Sequence, residues 1–226
     1  MRCKCEAMRI KKCTKAFTLI EMLVVVSIIA VLVTIVISIA TRLDTQGKIS
    51  STQGTFALVN TALSEFQDYG YCYENPFDVD FKFPLDCNGF SSSDLETALA
   101  QGCDISNVTI TSGTHEPNYS ECEALYFFLN RLPACEKIMS QIDIAFLTNL
   151  DRNGVRLIIH INGSTDDYPL FRFTDAWHNT LRYDYYDAEN ISTVTPRMRE
   201  TIKTFPVLTS AGPDGDFDTA DDIKSR

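Results

Sequence analysis

The chain has 226 residues, enough for one domain plus an appendage. Its net charge of −10 is unevenly spread: Arg2, Lys4, Arg9, Lys11, Lys12 and Lys15 against Glu6 give the first sixteen residues +5, which leaves −15 on the rest. An acidic main body repels phosphate, which argues against nucleic-acid binding there. The basic end suits the cytoplasmic flank of a membrane span.

The first predicted element follows that basic end. Met22 to Ala40 are nineteen residues without charge, proline or glycine. As a helix they measure about 28 Å, close to the ~30 Å hydrocarbon core of a bilayer. A soluble helix of that length usually keeps a polar face. A secretory signal has an apolar core of about 7–15 residues followed by small residues, and "SIATRLDT" fits that pattern poorly. Glu21 stands at the head of the run. A carboxylate at membrane depth is costly unless compensated; the plain alternative is a helix-end Glu reaching back to the headgroups.

The stretch "KAFTLIEMLVVVSIIAVL", Lys15 to Leu32, resembles the amino-terminal signature of type IV pilins and type II secretion pseudopilins. The resemblance implies a leader over 1–16. A membrane peptidase would cut between Ala16 and Phe17 on the cytoplasmic face and methylate the new terminus. A transmembrane helix would follow over 17–41. Ala16 stands where the family usually has glycine, and it is still small. The resemblance also gives Glu21 a partner: its carboxylate would neutralise the terminal ammonium of a neighbouring subunit. Two charges that are each costly in lipid then become one pair.

No proline occurs before Pro76, so the helix is expected to continue over 42–70. Ile49, Phe56, Val59, Leu63 and Phe66 recur at three-four spacing among Ser, Thr, Gln and Asn, one apolar stripe suited to packing on a sheet. Gly47 and Gly54 each weaken it by about 1 kcal/mol relative to Ala and are expected to mark a bend or local melting. Gly70 is the expected stop.

Residues 71–226 read as a globular α+β head. "SDLETALAQG" predicts a short helix with a Ser93/Glu96 capping box and Gly102 as its end. Ser120 to Glu123 repeats the box before "ALYFFLNRL", with Pro133 ending or disturbing that helix. "IDIAFLTNL" and "VRLIIHI" flank Asp151-Arg152-Asn153-Gly154, which predicts a hairpin. "TLRYDYY" and "FPVLTS" supply further strands. The fold class is therefore α+β: a long amino-terminal helix, transmembrane in its first half, laid on a small carboxy-terminal antiparallel sheet. The resemblance implies the same arrangement.

The tail "LTSAGPDGDFDTADDI", 208–223, crowds Asp214, Asp216, Asp218, Asp221 and Asp222 into nine residues. Carboxylates so close repel one another unless solvated or bridged by a cation. Hard oxygen donors in a glycine-containing loop favour Ca²⁺. An EF-hand is a poor fit, because no Glu closes the loop at its twelfth position. The segment resembles the carboxy-terminal calcium loop of major type II pseudopilins. By position that resemblance makes Asp214, Asp221 and Asp222 the first ligand candidates, with Asp216 and Asp218 behind them and carbonyls near 208–210 in support. The alternative is a solvated acidic turn. "DAWHNTLRYDY" resembles the family's Asp-x-Trp-Gly-Asn-Pro turn, with His178 and Thr180 in place of the Gly and the Pro. Trp177 is expected in the core and His178 in an exposed turn.

Cys3, Cys5 and Cys13 lie in the leader. Cys72, Cys87, Cys103, Cys122 and Cys135 lie in the head, where two disulfides with one leftover thiol, in unknown pairing, and buried reduced thiols are equal alternatives. The chain shows no nucleophile elbow, phosphate-binding glycine loop or paired-histidine motif, so it reads as a non-enzyme.

The reading that unites these features is a structural subunit of a type II secretion pseudopilus. It would be a single-pass inner-membrane protein with its amino terminus in the cytoplasm and its head in the periplasm. Its expected partners are copies of itself, other pseudopilins, the prepilin peptidase, the inner-membrane assembly platform and membrane lipid. The alternative within the family is a type IV pilin or minor pilin for adhesion or DNA uptake. The alternative of another class is a signal-anchored receptor, whose four sequons at Asn107, Asn118, Asn162 and Asn190 would carry glycans.

Overall fold

The computed structural model describes residues 18–69, 83–84, 86–103, 105–185 and 205–226. Ala16, Phe17, Gly70, Cys72 and Asn190 lie outside the described residues, as do the leader cysteines. The chain divides into two compact units, Met1–Thr45 and Gln46–Arg226, and helix α1, Leu19–Tyr69, passes through the division.

In the first unit every large apolar side chain from Leu19 to Ile39 is about half exposed or more. The hydroxyls of Ser27, Thr34 and Ser38 donate to the carbonyls of Val24, Ala30 and Thr34 at 2.7–2.9 Å. Its polar side chains are thereby satisfied within the helix, as an apolar solvent requires. Among the described residues, α1 is the one helix long and apolar enough to cross a membrane.

In the second unit α1 buries Thr52, Thr55, Phe56, Val59, Ala62 and Leu63, so the apolar stripe faces the core. Gly47 and Gly54 do not melt it. The helix runs unbroken through both, and a Cβ at either position would meet nothing within 4 Å.

Helix α2, Ser92–Gln101, is followed by strand β1, Val108–Ser112, and helix α3, Ser120–Arg131. Helix α3 is the spine of the unit. Cys122, Leu125 and Leu129 join α1, Phe173, Leu181, Tyr183 and Leu208 in one core cluster. Ala124, Phe127 and Phe128, on another face of α3, join α2, β1 and Leu157, Ile159 and Ile161 in a second. Leu132, the residue before Pro133, is extended (φ −93°, ψ 121°), and Pro133 starts α4, Pro133–Met139. This is the expected effect of a proline on its predecessor and its tolerance at a first helical position.

The remaining strands are β2 (Leu147–Thr148), β3 (Ile158–Ile161), β4 (Asp167–Pro169), β5 (Arg172–Phe173), β6 (Arg182–Asp184), β7 (Val207–Ser210) and β8 (Ile223–Lys224). They form three small antiparallel sheets, β1-β3-β4, β2-β5 and β6-β7-β8. The α+β class with a long amino-terminal helix is therefore the observed one.

Local detail departs from expectation in four places. The α2 capping box is Ser91 with Asp94, two residues before the expected pair; Glu96 instead accepts the Ile110 N–H of β1 at 2.6 Å. No box forms at α3, because Glu123 is drawn into the core and Ser120 Oγ donates to the carbonyls of Cys87 and Pro117. The Asn153-Gly154 turn is tight, with Gly154 at φ 76°. Its flanks nonetheless share one bridge, Leu150 with Arg156, before β2 joins β5 and β3 joins β1 and β4. Finally, β1 is a strand between two expected helices, where no strand is expected.

Candidate functional site

Two places carry chemistry. The first is the start of α1. Thr18 precedes the helix, and its backbone N–H and hydroxyl donate to Glu21 Oε2 at 2.8 and 2.9 Å. The Glu21 N–H donates back to Thr18 Oγ1 at 3.3 Å. This is a capping box, legible in the Thr-x-x-Glu spacing. The carboxylate is exposed at the head of the apolar helix.

The second is the acidic tail between β7 and β8. It is held at its base by Asp175, which is fully buried. Asp175 Oδ1 accepts the N–H groups of Trp177 and Asn179 at 2.8 Å each. Its Oδ2 accepts from Asn179 Nδ2 at 3.2 Å and from Ser210 Oγ at 2.7 Å. Asn179 Nδ2 also donates to the Gly212 carbonyl at 2.8 Å, and Ser210 Oγ accepts the Gly212 N–H. One buried carboxylate thus ties the Asp-Ala-Trp-His turn to the first residues of the tail. In that turn His178 is exposed and has φ 69°, a left-handed position that favours glycine, which is what the resembling motif carries there. Trp177 is half-buried, with Lys48 Nζ 5.9 Å from its ring centre.

Within the tail the aspartates play different parts. Asp214 and Asp221 adjoin: the Asp214 N–H donates to Asp221 Oδ2 at 3.2 Å. Asp221 Oδ1 accepts the Thr219 hydroxyl at 2.7 Å, and that bond, followed by those from Asp214, holds its carboxyl below the usual carboxylate range. Asp222 Oδ2 accepts the Asp218 N–H at 2.9 Å, while its Oδ1 is buried with no hydrogen-bond partner. Asp218 Oδ1 and Oδ2 take the two terminal nitrogens of Arg182 at 3.0 and 3.2 Å, and the same guanidinium lies 4.7 Å from the Phe217 ring centre. Asp216 donates its N–H to Asp214 Oδ1. Asp218 is therefore an anchor to β6.

Among the described residues no three His, Cys, Asp or Glu side chains converge on one point. The donor set still suits a hard cation. It offers carboxylate and carbonyl oxygens, an orphaned buried oxygen on Asp222, and a close approach at Gly212. There a Cβ would stand 2.5 Å from the Asp221 carbonyl oxygen.

The head cysteines among the described residues are free. Cys122 Sγ accepts the Phe173 N–H at 3.2 Å, and Cys135 Sγ donates to the Ala62 carbonyl at 3.2 Å. Burial pushes the Cys103 and Cys135 thiols up to about 11, and those of Cys87 and Cys122 higher still. Such thiols pack as small apolar groups and are poor nucleophiles.

With this geometry in view, residues 11–37 match the family profile of the prokaryotic N-terminal methylation motif. Neither the curated proteins nor the solved structures contain a match to this chain. The profile match covers Phe17 to Glu21 and most of the apolar run, Met22 to Ile37. It supports a type IV pilin-like protein, with a structural role and a membrane anchor in its amino-terminal helix.

Proposed function

We propose that the chain is a structural subunit of a type II secretion pseudopilus. The observation that carries this reading is the intact Phe17-Thr18-Leu19-Ile20-Glu21 motif within the matched segment, leading straight into an exposed apolar helix. The prepilin peptidase cuts after Ala16 and methylates Phe17. The subunit waits in the inner membrane, with its head in the periplasm. Glu21 exchanges its own cap for the terminal ammonium of a neighbour, which sets the register of assembly. Subunits are then added from the inner-membrane platform to a filament that includes other pseudopilins and helps to drive export. The acidic tail favours the pseudopilin branch: its Ser210, Gly212, Asp214, Gly215 and closing Asp222-Ile223 follow the calcium-loop pattern, and a bound Ca²⁺ would brace the head.

Mass spectrometry of protein extracted from membranes tests the reading. A mature chain beginning at N-methylated Phe17 is expected. A chain retaining Met1, or cut beyond Ala40, refutes it. Loss of secretion on deletion, with surface pili unchanged, separates the pseudopilin from a pilin for adhesion or DNA uptake.

A further inference from the structure

His115 sits in a setting that a neutral imidazole cannot satisfy. The residue is buried, and both ring nitrogens face acceptors. Nδ1 lies 2.8 Å from Glu123 Oε2, and Nε2 lies 3.1 Å from the Phe90 carbonyl oxygen. A neutral ring carries one N–H, so one of these acceptors would face a lone pair. Only the imidazolium donates to both.

The groups around it come from every neighbouring element. Glu123, fully buried on α3, is shared with Arg172 of β5, whose NH1 lies 3.4 Å from Oε1. Arg172 is fixed by Thr180 Oγ1, by the Leu150 carbonyl and by the Tyr119 ring 4.2 Å beneath it. On the His115 loop, Glu116 pairs with Arg152 at 2.7 Å, and the Thr114 N–H donates to Asp151 Oδ2 at 3.0 Å. From the segment before α2 comes the Phe90 carbonyl, next to Ser91, the α2 cap.

We propose that His115 is a protonation-dependent latch, fastening the Phe90–Ser91 entry of α2 to α3 while its ring carries both protons and releasing it when one is lost. The remaining proton stays on Nδ1, opposite the Glu123 carboxylate, and the Phe90 carbonyl loses its donor. The half-buried Phe90 thereby gives up the charge-assisted bond that ties this entry to His115. What then holds Phe90 is its own N–H, shared between Ser120 Oγ at 3.2 Å and the Cys87 carbonyl at 3.1 Å. The entry to α2 opens locally while the α1 core stays closed.

The direction with pH follows from the balance of forces on the ring. Burial disfavours the imidazolium, but the bond to Glu123 and its charge, with the Phe90 carbonyl and Glu116, outweigh it and raise the His115 pKa above its ordinary value. A raised folded pKa gives stability that is complete below the ordinary value and lost as pH rises through the folded one.

Hydrogen–deuterium exchange of the full-length protein in detergent, corrected for intrinsic exchange, tests this at pH 6 and pH 9. Protection over 86–95 is expected to fall roughly tenfold, the factor that one hydrogen bond to a charged group is worth. Protection of β7 amides is expected to hold. His115→Gln should start low and show no such fall; His160→Gln, which removes the exposed partner of Asp167, should behave as wild type. Equal protection of 86–95 at both pH values overturns the latch. So does a fall shared equally by β7, or one of the same size in His115→Gln. If His115→Gln does not fold, the wild-type comparison of 86–95 with β7 decides.

Discussion

Thr18 and Glu21 satisfy each other across the first turn of α1: both Thr18 donors reach Glu21 Oε2, and the Glu21 N–H returns to Thr18 Oγ1. The carboxylate at the head of the apolar run is therefore already hydrogen-bonded within its own chain. Two functions compete for it, a helix cap in the single subunit and a charge pair in the proposed filament.

Substitution separates them. Glu21→Gln keeps an acceptor that serves in a capping box but removes the charge. Glu21→Leu removes both and makes the span more apolar, so membrane insertion is retained or improved. If the charge pairs with a neighbour, both variants insert, as read by carbonate extraction, and neither forms filaments. Thr18→Ala costs the helix about 1 kcal/mol of capping and still assembles. Normal filaments from Glu21→Gln would leave the carboxylate with the cap alone.

The long helix was legible because its signal is redundant: nineteen uncharged residues and then a three-four stripe from Ile49 to Phe66. Local melting at Gly47 and Gly54 does not occur, since neighbouring turns and core contacts outweigh a propensity cost of about 1 kcal/mol. The caps were harder. Ser91 with Asp94 and Ser93 with Glu96 offer two frames for one box, and the structure uses the first while Glu96 reaches Ile110 of β1. Glu123 could not be placed from local spacing, because its partners are His115 and Arg172, 8 and 49 residues away. The aspartates were legible as a group. Their division into neighbours and anchor depends on Arg182, which is 36 residues from Asp218.

Glycine substitutions test the packing of the second unit. Gly113 and Gly154 both have positive φ, 79° and 76°. A Cβ at Gly113 would lie 2.9 Å from the Arg156 carbonyl oxygen and 3.0 Å from the Leu157 Cα, backbone atoms just before β3; one at Gly154 meets nothing within 4 Å. Gly113→Ala should destabilise by about 2–4 kcal/mol, combining left-handed strain with the clash. Gly154→Ala should cost about 1 kcal/mol or less, because strain is partly offset by a stiffer unfolded chain. Denaturant midpoints of the full chain in detergent give both values, and equal losses would disprove the close approach at Gly113.

Asp151 is one source of acid sensitivity in the head. Its carboxylate accepts the N–H groups of Val155 and Asn153 at 2.8 Å and of Thr114 at 3.0 Å. The Val155 bond first, against a smaller opposing effect of burial, and then the Thr114 and Asn153 bonds and the charge of Arg172 hold its pKa below the usual value. A lowered folded pKa gives stability that is present above the ordinary value near 4 and lost as pH falls through the folded one. Asp151→Asn should lower the unfolding midpoint at pH 7 and flatten its decline below about pH 4. An unchanged acid profile would remove Asp151 from the account.

Calcium is the sharpest test of the tail. Five aspartates within nine residues carry about five negative charges at neutral pH, given ordinary values near 4. Asp218 is paired with Arg182. Asp214, Asp221 and the orphaned oxygen of Asp222 carry the repulsion that a divalent ion relieves. At a concentration a hundredfold above Kd, an ion that binds only the folded state adds roughly 2.7 kcal/mol, which for a chain of this size raises Tm by roughly 5–10 °C. The full-length protein in detergent should therefore melt higher in millimolar Ca²⁺ than in chelator. Mg²⁺ should substitute poorly, because it demands tighter octahedral geometry. Asp214→Ala, Asp221→Ala and Asp222→Ala should each remove most of the shift. Asp216→Ala should leave it largely intact. Asp218→Ala should lower Tm with and without calcium, through loss of the Arg182 anchor, while keeping the difference between them. A Tm indifferent to calcium would reduce the tail to a solvated acidic turn, braced by Asp175 at its base and by Arg182 at its middle.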